Sequence, residues 1–317
     1  MSGLPEAQHS SQGGNIMFKG SIVAIVTPFK NGAVNEGKLR DLVEFQIKNG
    51  TNGIVPCGTT GESPTLTTEE HERVIKICIE AANKRVPIIA GTGSNSTAEA
   101  VALTKHAAKS GADGALLVSP YYNKPTQKGL YLHFKEIADS VDIPLILYNI
   151  AGRTAVNIEP ETIAKLSQDC KNIIGVKEAS GSLEQIQIIK SLCPKNFILL
   201  SGDDTLTLPI LSIGGVGVIS VVANIVPKDV AAVIKAFNEG NLKKAQELHY
   251  KLLPLAKAMF IETNPISVKT AMGLLELCSD ELRLPLCAMK DENKFKLASA
   301  LKSYGLTAEK VTEKALK

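Results

Sequence analysis

The chain has 317 residues, 44% of them hydrophobic and 21% charged, with a formal net charge of +3. Such a chain is long enough to bury a sizeable core, and its charge bias is too weak to argue for nucleic acid or a membrane surface as partner. No apolar run is long enough to span a bilayer. The six cysteines (Cys57, Cys78, Cys170, Cys193, Cys278 and Cys287) form neither a CxxC pair nor a zinc-spaced cluster with histidine, so reduced thiols in a cytoplasmic protein without a metal are expected.

Residues 1–16 are polar and rich in Ser, Gln and Gly, and are expected to be a disordered leader or an appended extension outside the fold. Beyond them, apolar runs of strand length recur: Ile22–Val26, Gly53–Val55, Pro87–Ala90, Ala115–Val118, Pro144–Leu147, Ile173–Val176, Phe197–Leu200 and Val216–Ser220. They lack polar alternation, which is the pattern of strands covered on both faces. The segments between them have helical spacing. One spans about 68–83, with Val74, Ile75, Cys78 and Ile79 on one face and Thr-Thr-Glu-Glu at its entry. Others span about 97–110, stopping at Gly111, and about 126–140. Pro160, Ser182 and Pro227 mark further helix starts. An open doubly wound sheet uses the same alternation, but eight even units favour closure, so the expected fold is an α/β (β/α)8 TIM barrel over 17–241. Residues 242–317 read as helices only, a C-terminal helical appendage packed on the barrel.

In a barrel, chemistry belongs at the carboxyl ends of the strands. The second predicted strand ends in Cys57-Gly58-Thr59-Thr60-Gly61-Glu62-Ser63, which reads either as a turn or as hydroxyls and N–H groups for a carboxylate. The third ends in Gly91-Thr92-Gly93-Ser94-Asn95-Ser96, a dinucleotide fingerprint with serine in the last glycine position and therefore a weak match. The fourth ends in Pro120-Tyr121-Tyr122-Asn123-Lys124-Pro125, a stiff aromatic loop suited to a site or an interface. The fifth ends in Tyr148-Asn149, with Arg153 shortly after. The phenol is a candidate proton shuttle and the guanidinium a candidate carboxylate fork, against a capped core tyrosine and a solvated loop arginine. The sixth ends in Lys177-Glu178. A lysine closing an apolar run is either a snorkelling rim residue or an amine whose burial disfavours the ammonium and frees it to attack a carbonyl. The seventh ends in Ser201-Gly202-Asp203-Asp204, where two aspartates argue against a phosphate site. The histidines are expected to form no metal pair or triad; His106, His133 and His249 read as helix-surface residues.

Taken together, Gly58–Ser63, Tyr121-Tyr122-Asn123, Tyr148-Asn149 with Arg153-Thr154, Gly175–Gly181, Ser201–Asp204 and Glu262-Thr263-Asn264-Pro265-Ile266 resemble the 4-hydroxy-tetrahydrodipicolinate synthases (dihydrodipicolinate synthases) of the pyruvate-dependent aldolase superfamily. The resemblance runs from Phe18 through the barrel and into the appendage. It implies a lyase of lysine biosynthesis that condenses pyruvate, bound as a Schiff base on Lys177, with L-aspartate 4-semialdehyde. It implies that Thr59 and Thr60 hold the pyruvate carboxylate, that Tyr148, Thr60 and Tyr122 relay protons with Tyr122 reaching in from a neighbouring subunit, and that Arg153 binds the semialdehyde carboxylate. Backbone groups at Gly202 and Ile219 help frame the site, and no cofactor is implied. It further implies a homotetramer built as a dimer of dimers, and L-lysine as a possible inhibitor at Pro64, His71, Gly93, Ser94, Asn95, Glu99 and Tyr121, where His71 reads equally as a helix-surface residue. Two positions depart from the family pattern: Thr68 stands where inhibited members often have histidine, and Ala151 where proline is common, which predicts a looser Arg153 loop. A sugar-acid aldolase resembling N-acetylneuraminate lyase is the rival reading, with Arg153 weighing against it. A non-catalytic amino-acid-binding barrel is the third.

Overall fold

The computed structural model describes residues 18–307; the expected leader and the last ten residues of the appendage lie outside the described residues. Among the described residues there are ten strands: β1 (Gly20–Ala24), β2 (Phe29–Lys30), β3 (Ala33–Val34), β4 (Gly53–Val55), β5 (Ile89–Gly91), β6 (Gly114–Val118), β7 (Leu145–Asn149), β8 (Ile173–Glu178), β9 (Ile198–Ser201) and β10 (Gly217–Ser220). Eight of them form one parallel sheet in the order β4-β1-β10-β9-β8-β7-β6-β5. A parallel bridge between Ile54 and Ile88 joins its two edges, so the sheet closes into the expected barrel. Closure leaves no unpaired edge in the sheet.

The unbroken apolar runs follow from two buried faces. Ile22 and Ala24 point into the barrel with Val55, Ile89, Leu116, Ile146, Tyr148, Leu200 and Ile219. Val23, between them, packs outward in a cluster with residues of the surrounding helices, such as Leu39, Val43, Val74 and Ile75. Strands β5 and β7 begin after their prolines, Pro87 and Pro144, because proline brings no N–H to a ladder. At the other end, β7 and β8 run on through Tyr148-Asn149 and Lys177-Glu178, so the candidate residues sit inside the ladder.

The helices start and stop for local reasons. The helix Thr68–Ala82 opens on a capping box, in which Thr67 accepts from the Glu70 N–H while the Glu70 side chain accepts from the Thr67 N–H. The helix Thr97–Ser110 ends on Gly111 at φ +92°, in the left-handed region. The β2–β3 hairpin has strands too short to register as apolar runs; its Asn31-Gly32 turn, with both residues at positive φ, is the legible signal.

The histidine expectation needs correction. His133 and His249 lie on the buried sides of their helices, and only His106 is partly exposed, against Glu72. His133 is held by Thr97 through Nδ1, and burial pushes it down to about 4 from an ordinary 6.5. The unfolded chain therefore binds an extra proton between these values. The neutral ring's contribution is present above pH 6.5 and is lost as the pH falls towards 4. Acidification across that window is expected to remove on the order of 2 kcal/mol through this residue. Denaturant melts at pH 7 and pH 4 should show a smaller pH-dependent loss in His133→Gln than in the wild-type chain; equal losses would discard the assignment.

The C-terminal region contains helices Leu242–Ala258, Ile266–Leu274 and Asp291–Tyr304. Between the last two of these helices, residues 275–290 form no helix. In this stretch Arg283 binds three earlier segments at once. Its guanidinium donates to Gly32 O, Thr65 O and the Glu70 carboxylate, and it lies over the Phe29 ring at 4.4 Å.

Candidate active site

Strands β7 and β8 pair in register, with Tyr148 opposite Lys177. Lys177 is 5% exposed, and its amine lies 4.0 Å from the centroid of the Tyr148 ring. No carboxylate is paired with that amine among the described residues, which separates it from the other buried lysine, Lys269. The adjoining carboxylate, Glu178, is buried and turned away into an amide network, accepting from Asn149 Nδ2 at 3.1 Å and from the Ser180 N–H at 2.7 Å. Gly202 is required beneath the lysine stem. A Cβ there would meet the Ala179 Cβ at 2.6 Å and Lys177 Cε at 3.1 Å.

Around this amine lies a cavity of about 40 Å³, lined by Thr59, Thr60, Tyr148, Arg153, Lys177, Gly202, Phe260 and Asn264 among others. It shares Thr59, Tyr148 and Arg153 with a larger cavity of about 380 Å³. Two wider hollows, of about 540 and 1200 Å³, lie at the amino ends of the strands and hold none of these side chains, so size alone does not mark the site.

The Thr59-Thr60 turn is held from behind. Glu62 adopts φ +54° and is fully buried against Lys269, whose amine donates to Glu62 Oε1 at 2.6 Å and to Thr27 O at 2.9 Å. Thr27 in turn donates to Gly61 O, and the Arg283 N–H donates to Glu62 Oε2. Burial pushes the Lys269 amine down, and the Glu62 carboxylate opposes that shift. In front, Asn264 Nδ2 donates to the Thr60 hydroxyl at 3.0 Å. The Asn264 backbone carbonyl accepts from Arg153 at 3.2 Å. The Arg153 loop forms a single helical turn, Ala151–Thr154, pinned by the buried Thr154 hydroxyl on Ile150 O and Val156 O. The expected loosening at Ala151 is thus offset by side-chain bonds.

Thr59, Thr60, Tyr148, Arg153, Lys177 and Gly202 therefore meet at one cavity. Ile219 does not line it, though it packs with Tyr148 inside the barrel, and Val221 lines the wall instead. Tyr122 is 88% exposed at φ +72° and lines neither cavity. Asp204, after β9, is buried, burial raises its carboxyl, and it accepts the Val221 and Val222 N–H groups.

The larger cavity is lined by Pro64, Thr68, His71, Gly93, Ser94, Glu99 and Tyr121. Asn95 stands behind it, donating to Tyr121 O. Ser94 donates to the Glu99 carboxylate. His71 is buried and bonded to Gly91 O, and burial lowers its pKa, so the helix-surface reading is wrong for it. Glycine at 91 and 93 serves packing: a Cβ would fall 2.3 Å from Cys57 O or from Val118 N.

Sequence reasoning assigned no role to Glu62, Lys269, Asn264 or Glu178. Lys269 carries the same signal as Lys177, a lone lysine within an apolar segment, Ile266–Leu274.

A closed parallel barrel with a buried, carboxylate-free amine against a phenol at its carboxyl-end mouth has the layout of an amine-bearing barrel lyase. Within that class, the chain belongs to the dihydrodipicolinate synthetase family, whose family model matches residues 17–304. It is 61% identical over 290 residues to the 4-hydroxy-tetrahydrodipicolinate synthase of Endomicrobium trichonymphae, covering 92% of this chain and 99% of that protein. It superposes on the crystal structure of dihydrodipicolinate synthase from Aquifex aeolicus with a TM-score of 0.90 at 53% identity, covering 92% and 99% of the two chains. It also superposes on DHDPS from Cyanidioschyzon merolae, solved with lysine bound, with a TM-score of 0.89 at 43% identity, covering 92% and 99%.

Proposed function

We propose that this chain condenses pyruvate with L-aspartate 4-semialdehyde to give 4-hydroxy-tetrahydrodipicolinate, through a Schiff base on Lys177. The observation that carries the reading is the buried Lys177 amine beside the Tyr148 ring, free of any carboxylate partner, in a cavity it shares with Thr60 and Arg153. The amine adds to the pyruvate C2 carbonyl and water leaves, giving an iminium. The iminium accepts the electron pair released when the methyl group loses a proton, and the resulting enamine attacks the aldehyde carbon. The semialdehyde's own amine then closes the ring on C2 and displaces Lys177.

Thr59 and Thr60 hold the pyruvate carboxylate, and Tyr148 moves protons through the Thr60 hydroxyl. The exposed Tyr122 is supplied to this relay by a neighbouring subunit of a homotetramer, and backbone groups at Gly202 and Ile219 frame the site. The cytoplasm, where free thiols persist, is the compartment. The larger cavity takes L-lysine as an inhibitor, its ammonium against Glu99. Supporting this is the gathering there of Pro64, His71, Gly93, Ser94, Glu99 and Tyr121.

Arg153 fixes the semialdehyde carboxylate. Arg153→Ala is expected to lower kcat/KM for the semialdehyde by about 10²-fold, while borohydride still traps pyruvate on Lys177. Turnover of N-acetylmannosamine without the semialdehyde would overturn the substrate assignment.

A further inference from the structure

Among the described residues, four buried side-chain atoms have no hydrogen-bond partner: Ser21 Oγ, His133 Nε2, Asp204 Oδ1 and Asn264 Oδ1. Of the four residues, Asn264 alone lines the cavity around Lys177. A buried carbonyl oxygen left unpaired is unfavourable unless something arrives to fill it. Its neighbours say what that is. The Asn264 amide is committed to the Thr60 hydroxyl at 3.0 Å, and its backbone carbonyl takes the Arg153 guanidinium at 3.2 Å. The free oxygen is therefore an acceptor on the residue that directly contacts the proposed carboxylate fork.

We propose that Asn264 is a specificity-determining residue whose side-chain carbonyl accepts the α-ammonium of the aldehyde substrate. This rests on the reading that the substrate is an amino-acid aldehyde held by Arg153. In such a molecule, carboxylate and ammonium leave the same carbon. Once Arg153 holds the carboxylate, the ammonium falls within a few ångströms of the guanidinium, on the order of one residue's width. Asn264 touches the guanidinium through its backbone and lines the same cavity, which brings its side chain to this neighbourhood. The buried acceptor fills its vacancy only with a substrate that brings a donor, so an aldehyde lacking the amine leaves it unpaired and is rejected.

The test compares L-aspartate 4-semialdehyde with 4-oxobutanoate, which keeps the carboxylate and aldehyde but has hydrogen in place of the amine. The readout is the ratio of the 4-oxobutanoate inhibition constant to the KM for the semialdehyde. Both values come from one enzyme sample, so a partly unfolded variant does not distort the ratio. Asn264→Ala is expected to lower this ratio by about tenfold or more, the size of a lost hydrogen bond to a charged group. Asn264→Asp, which keeps an acceptor, should hold the ratio near the wild-type value or above it. An unchanged ratio in Asn264→Ala, with wild-type enzyme turning over the semialdehyde, overturns the role of Asn264. A wild-type enzyme that never turns over the semialdehyde overturns the underlying substrate reading instead.

Discussion

Lys177→Ala is expected to lose turnover by about 10⁴-fold or more and to give no borohydride-stable pyruvate adduct. In the proposed mechanism the amine is the atom to which pyruvate becomes bonded, so its removal deletes the covalent pathway rather than weakening one contact. The cavity should survive. Lys177 is buried mainly by its stem, which lies over Gly202, and alanine leaves a void without a stranded charge. Circular dichroism should therefore remain native-like while the adduct mass disappears. Peptide mapping of the wild-type adduct to any other lysine would reject the mechanism. Lys269 is the informative rival, because it is even more deeply buried than Lys177.

The second large effect concerns that rival. Lys269→Met is expected to destabilise the chain by about 3–5 kcal/mol, since it leaves the Glu62 carboxylate buried without its cation. For a chain of this size the melting midpoint should fall by roughly 6 °C. The cause is stranded charge rather than lost packing, because methionine nearly matches the lysine stem and still lies against Phe29. Adding Glu62→Gln removes that charge while keeping an acceptor for the Arg283 N–H. The double variant should recover most of the loss. A double variant as unstable as Lys269→Met would show that packing, not charge, accounts for the effect. Pyruvate affinity should fall in the single variant and return in the double, because Glu62 anchors the turn that carries Thr59 and Thr60.

The barrel was legible because its strands are apolar on both faces and its helices carry their own stops, such as Gly111 and the Thr67–Glu70 box. Half of the candidate site was legible for a related reason. A polar residue that ends an apolar run, as Tyr148 and Lys177 do, stands out against its neighbours. What escaped is polar residues whose partners are far away in the chain. Lys269 and Glu62 are 207 positions apart, and Asn264 and Thr60 are 204. No local pattern announces such a pair. The buried histidines escaped for another reason: His133 and His249 are polar by type but fall on helix faces that carry apolar residues.

Those separations have a consequence for how the protein is made. A nascent chain that has already delivered all eight barrel strands has emerged only through Ser220. At that moment the Gly58–Ser63 turn still lacks Lys269, Arg283 and Asn264, which lie further along the chain. Contacts of such long range also form late, because the intervening loop must be closed first. The candidate site is thus completed only after the barrel strands, and a chain released at Ser220 holds a barrel whose Thr59-Thr60 turn has no anchor.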